Sequence, residues 1–80
     1  METFGQRLRR LRGQYVVGQA ELARAAGLTQ PAVWEIEHDR RHPRPVTIRK
    51  LAAALSNLSG QSVTPMELVG SGQPPGETRG

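Results

Sequence analysis

Gly27 is the residue that most restricts how this 80-residue chain can fold. It stands between two short segments, Gln19 to Ala26 and Thr29 to His38, whose apolar residues recur at helical spacing. Glycine takes the left-handed backbone region without strain, so it can end one helix and swing the chain steeply into the next. Leu22, Ala26, Leu28, Val33 and Ile36 are apolar where the inner wedge of two crossing helices has to be filled. Ala23 is small where a close crossing needs it. Thr29 is a good N-cap for the later helix, and Pro31 lies in its first turn, where a missing N–H does little harm. These positions at fixed offsets predict a helix-turn-helix.

The rest of the chain also reads as helix. Phe4, Leu8, Leu11 and Tyr15 recur at spacings of four, three and four, one face of a helix whose start is signalled by Thr3 and Gln6 as a capping box. His38 to Pro45 reads as a loop, because two prolines in a basic stretch forbid continuing the helix. Ile48, Leu51, Ala52, Leu55 and Leu58 form the stripe of a fourth helix, broken at Ser59 to Ser62. Thr64, Pro65 and Glu67 mark the start of a short fifth helix, with Val63 and Leu68 as its hydrophobic staple. No stretch alternates with period two, so no strand is predicted. The fold class is all-α, a compact five-helix bundle.

Residues 70–80 hold four Gly, two Pro and no large apolar side chain. Such a segment reads as a flexible tail or linker, leaving residues 1–69 as the working domain. There is no cysteine, hence no disulfide framework and no thiolate metal site. No signal pattern opens the chain and its longest apolar run, Leu51 to Leu55, is far too short to span a bilayer, so a cytoplasmic protein without membrane contact is expected. Eleven Lys and Arg stand against seven Asp and Glu, giving +4, and ten of the eleven cations are Arg. An anionic partner, nucleic acid first, is one reading of that excess, and a soluble protein of Arg-rich composition is the other.

The run Gly18 to Glu37, followed by Arg40 to Pro45 and Thr47 to Leu55, resembles the Cro/C1-type (XRE) helix-turn-helix family of phage and bacterial repressors. The resemblance covers Phe4 to Val69. It implies a lambda-repressor-like domain that binds double-stranded DNA as a homodimer, with the helix around Gln30 to Glu37 in the major groove. Carried over by position, Gln19 holds a phosphate, while Thr29, Gln30 and Pro31 open the reading helix. Gln30 is suited to adenine, and Trp34 and Glu35 face the groove one turn on. Arg40, Arg41 and Arg44 lie in the loop that follows the DNA backbone, with a solvated basic loop as the alternative. Arg12 is expected to pair with Glu37 as a structural salt bridge. Trp34 either touches DNA or packs on the following loop or a protein partner. Glu35 either accepts from cytosine or repels wrong sequences.

Four departures from the family pattern stand out. Gly18 replaces the usual Ser or Thr cap, Pro31 and Ala32 replace polar readers, and Asp39 replaces a frequent Gly at the turn after the third helix. Asn57 to Ser62 lengthens the region that often builds the dimer contact. An interaction module or antitoxin on the same fold is the rival reading, as is the DNA-binding half of a longer regulator. His38 and His42 are four apart but lack a third ligand, so no metal is expected. Asn57-Leu58-Ser59 spells a glycosylation sequon without a secretion signal. No nucleophile, base and orienting group stand together, so neither an enzyme nor a cofactor is expected.

Overall fold

The computed structural model describes residues 1–70. Its elements are α1 (Phe4–Gln14), α2 (Gln19–Ala26), α3 (Gln30–Glu37), α4 (Pro45–Ser59) and α5 (Pro65–Val69). Among the described residues there is no strand. The predicted local signals are realised in the caps. Thr3 accepts from the Gln6 N–H at 3.1 Å while the Gln6 side chain accepts from the Thr3 N–H at 3.0 Å, closing the box at the start of α1. Thr29 accepts from the Ala32 N–H at 3.2 Å. Glu67 accepts from the Thr64 N–H at 3.1 Å to start α5. Gly27 closes α2 at φ 73°. Gly18 offers no side chain, but Glu21 reaches back to accept from its N–H at 3.2 Å, which supplies half of the missing cap.

Leu8, Leu22, Val33, Ile36, Leu51, Leu55 and Leu68 form the fully buried centre, one or two from each helix. The α2 helix packs on both α3 and α4, and α1 bridges α3 and α5. Phe4 and Tyr15, at the two ends of the α1 stripe, are only partly buried against this core. Ser56 joins α4 to the segment before α5. Its hydroxyl oxygen lies 2.9 Å from the Ala52 carbonyl and 3.0 Å from the Val63 carbonyl, which share its single proton, and it accepts from the Val63 N–H at 2.9 Å.

Three details differ from the sequence reading. Pro45, expected in the loop, is the first residue of α4, where its fixed φ suits a helix start and its missing N–H is harmless. Leu58 lies in α4 as expected, but is 36% exposed rather than buried with the rest of the stripe. Gly70, assigned to the tail, is buried: Arg7 donates to the carbonyls of Leu68 and Val69 at 3.3 and 3.1 Å and lies against Gly70. The remainder of the expected tail, residues 71–80, lies outside the described residues.

The start of α1 is fastened to the end of α3. Asp39 takes φ 56°, the left-handed conformation anticipated for an Asp in place of Gly. Its carboxylate accepts from the Thr3 hydroxyl at 2.6 Å and from the Gly5 N–H at 3.0 Å. Gly5 touches α3 so closely that a Cβ there would lie 2.5 Å from the carbonyl oxygens of Ile36 and Glu37. These contacts fix the tilt of α3 from its C-terminal end.

Candidate nucleic-acid interface

The inner side of α3 ends in a charge. Glu37 is 1% exposed, and Arg12 of α1 meets it with two parallel bonds, Nε to Oε2 at 2.7 Å and Nη2 to Oε1 at 3.1 Å. Arg12 also donates to the Val17 carbonyl at 3.1 Å, tying down the turn before α2. A forked guanidinium on a carboxylate is among the stronger hydrogen-bonded pairs and sets angle as well as distance. The pairing of Arg12 with Glu37 expected from the resemblance is present in the structure.

Gln19 extends this pair toward the surface. Its Nε2 donates to Glu37 Oε1 at 3.0 Å, and its Oε1 accepts from Gln30 Nε2 at 3.2 Å. The first residues of α2 and α3 are thereby linked side chain to side chain. Gln19 and Gln30 stand with Pro31, Trp34 and Glu35 around a shallow cleft of about 360 Å³. Five of the residues singled out from the sequence thus share one surface. Thr29 sits at its edge, its hydroxyl oxygen committed to the helix cap.

The outer residues have partners of their own. Trp34 is 41% exposed, and its ring stacks on His38 with centroids 3.9 Å apart and planes 18° from parallel. The Arg40 guanidinium lies 5.6 Å from the Trp34 ring centroid, within cation–π range. Of the readings held open for Trp34, packing on the following turn is the one the geometry displays, with an exposed edge remaining. Glu35 accepts from Arg41 Nε at 3.0 Å and Nη2 at 2.7 Å. That pair is about half exposed, so solvent and salt weaken it. Arg41 and Arg44 share a second hollow of about 410 Å³ with Leu28, Ala32 and Thr47. Among the described residues no carboxylate lies within ion-pair distance of Arg40 or Arg44.

The sequence reading did not identify the Glu35–Arg41 bridge, the partners His38 and Arg40 that Trp34 takes in the following turn, or the anchoring of α1 by Asp39. The His38 ring is four residues after Trp34, a helix-neighbour spacing that could have indicated the stack. The other two depend on how the chain turns after Glu37. Neither histidine belongs to a cluster of three or more ligating groups among the described residues. No helix among them is long and apolar enough to cross a membrane.

Two short helices crossing through a glycine turn, with an outward cleft opened by the second helix and flanked by arginines, define a helix-turn-helix domain. The family model described as "Helix-turn-helix domain" matches residues 3–62, and the chain belongs to this family. It is of the Cro/C1 (XRE) type. A relative is the "HTH-type transcriptional repressor RghR" of Bacillus subtilis, 41% identical over 56 residues, which are 69% of this chain. The match spans 42% of that repressor, so this chain answers to less than half its length. Among solved structures, the restriction-modification controller protein C.AhdI from Aeromonas hydrophila superposes with a TM-score of 0.72 at 40% identity. That match covers 81% of this chain and 89% of the controller.

Proposed function

We propose that this chain is a DNA-binding transcriptional regulator of repressor type that reads double-stranded DNA as a homodimer. The observation that carries the reading is the joined front of α2 and α3. Two helix N-termini, which favour anions, are locked together by Gln19 and Gln30 and backed by the buried Arg12–Glu37 pair. In this reading Gln30, Pro31, Trp34 and Glu35 enter the major groove, and Gln19 and Thr29 meet the flanking phosphates. Arg40, Arg41 and Arg44 run along the backbone. The domain comprises residues 1–69 with Gly70 packed at its edge, and two copies place their reading helices about 34 Å apart, one DNA turn. The names of the two relatives, a transcriptional repressor and a restriction-modification controller, agree with a regulatory role.

The test is selection of bound sites from a random duplex pool at near-physiological salt. Enrichment of a two-fold symmetric site supports a dimeric sequence reader, whereas an absence of enrichment refutes the proposal. Binding to the enriched site falls steeply with salt, by about 0.9 log unit per log unit of salt for each phosphate contacted. Arg44→Ala lowers that slope by about one phosphate's share and weakens all sequences alike. An unchanged slope removes Arg44 from the interface.

A further inference from the structure

Two parts of the proposed interface are engaged with each other. Glu35, near the end of α3, lines the cleft with Gln30 and Trp34. Arg41, in the loop that follows, lines the basic hollow with His42 and Arg44. Arg41 reaches across and donates to Glu35 Oε1, through Nε at 3.0 Å and through Nη2 at 2.7 Å. The pair thus spans from one hollow to the other. Among the described residues no carboxylate lies within ion-pair distance of Arg40 or Arg44. Of these three arginines, Arg41 alone carries a counter-ion of its own.

Carboxylate and phosphate oxygens compete for the same N–H groups of a guanidinium. Arg41 cannot turn to a phosphate without leaving Glu35 unpaired. The pair is about half exposed, so its strength is modest: it is a bias that DNA can overcome, not a lock. On a duplex that α3 fits closely, Glu35 can turn to amino hydrogens on the base edges, and Arg41 is released to the backbone. On an unrelated duplex nothing replaces Arg41 beside Glu35. We propose that Glu35 holds Arg41 off the phosphates of unrelated duplexes, so that Arg41 widens the margin between a fitted site and bulk DNA instead of raising affinity for all DNA. This rests on the DNA-binding reading above. It differs from plain repulsion of phosphate by Glu35, because it acts only through Arg41.

The experiment measures equilibrium binding over a series of salt concentrations for the wild-type chain, Glu35→Gln, Arg41→Ala and the double variant. The probes are the duplex enriched by selection and a duplex of the same length and scrambled sequence. Both side chains are half exposed and outside the core, so each variant is expected to fold, which circular dichroism checks. Glu35→Gln keeps the size of the side chain and frees Arg41. It is expected to bind the scrambled duplex about two- to fivefold more tightly than the wild type. Its salt slope on that duplex should steepen by about 0.9, one phosphate's share. The preference for the enriched duplex narrows accordingly. In the Arg41→Ala background the same Glu35→Gln change should bring no gain on the scrambled duplex, since no guanidinium remains to be freed.

Unchanged binding of the scrambled duplex by Glu35→Gln overturns the proposal. A gain of the same size in the Arg41→Ala background overturns it as well, because the effect then belongs to repulsion by Glu35 alone. In both cases an enriched site leaves the DNA-binding reading standing. If the wild type enriches no site, that reading itself has failed.

Discussion

One substitution, made at two places in α1, tests the packing of that helix on α3. Gly→Ala in a helix ordinarily stabilises by about 0.5–1 kcal/mol, because glycine loses more backbone freedom on folding. Gly13, near the end of α1, has nothing within 4 Å of the place an added methyl would occupy, so Gly13→Ala is expected to show that gain in full. Gly5 is the opposite case. Its Cβ would lie 2.5 Å from two backbone oxygens of α3 and 2.7 Å from the Glu37 carbonyl carbon. Ordinary contact begins near 3.4 Å, so the start of α1 must back away by about 0.9 Å. The obstacle is backbone, which has no rotamer to yield. Overpacking of this kind costs about 1–3 kcal/mol, and the shift also stretches the 3.0 Å bond from the Gly5 N–H to Asp39. The helix-propensity gain offsets only part of this, leaving Gly5→Ala destabilised by about 2 kcal/mol. For a domain of this size that is a fall in Tm of roughly 10 °C, against a rise of a few degrees for Gly13→Ala. Thermal and urea unfolding followed by circular dichroism read both. If Gly5→Ala equals or exceeds the wild type in stability, the close approach of α1 to α3 is wrong.

Three further outcomes are expected. The Asp39 carboxyl is held below its ordinary value of 3.8, first by the hydrogen bond from Thr3, then by the Gly5 N–H and by the charges of Arg9 and His42. A depressed folded value means its contribution is whole above the ordinary value and is lost as pH falls through the lower folded one. In acid titrations of stability, Asp39→Asn should therefore show a shallower decline below about pH 4 than the wild type, and equal slopes would refute the role. Val16 is 88% exposed and β-branched, yet sits at φ 56°. Val16→Asn should raise stability by about 1 kcal/mol in urea unfolding, since Asn takes this conformation with less strain. Glu37→Ala leaves Arg12 without its carboxylate and should destabilise by about 3 kcal/mol. The double change Arg12→Met with Glu37→Leu should recover most of that loss, because no charge is left unpaired. Non-recovery in the double variant would mean that the pair contributes more than charge balance.

Local chemistry in this chain is written in short sequence intervals, and that is where the reading succeeded. The caps at Thr3, Thr29 and Thr64, the glycine turn at Gly27 and the left-handed Asp39 each follow from residue type within four positions. The Arg12–Glu37 pair spans 25 residues and was reachable only because the resemblance supplied the fold. Pairings without such a guide stayed hidden. Asp39 reaches Thr3 across 36 residues, and nothing in either residue's surroundings announces it. Glu35 and Arg41 are six apart, which is no helix-neighbour distance, and they meet only because α3 has ended between them. Leu58 shows the converse error. Its spacing belongs to the α4 stripe, but periodicity says which way a side chain points, not whether anything waits there to cover it.

The chain of bonds from Arg12 to Gln30 divides α3 into two kinds of position, and this bears on how such a protein can be retargeted. Pro31, Trp34 and Glu35 owe nothing to the buried pair, so a library varied at those three sites should yield folded domains with new preferences. Positions 19, 30 and 37 form one unit in which each amide or acid dictates its neighbour. Exchanging one of them singly leaves a neighbour facing the wrong group, so a design that alters one of the three has to alter the others with it.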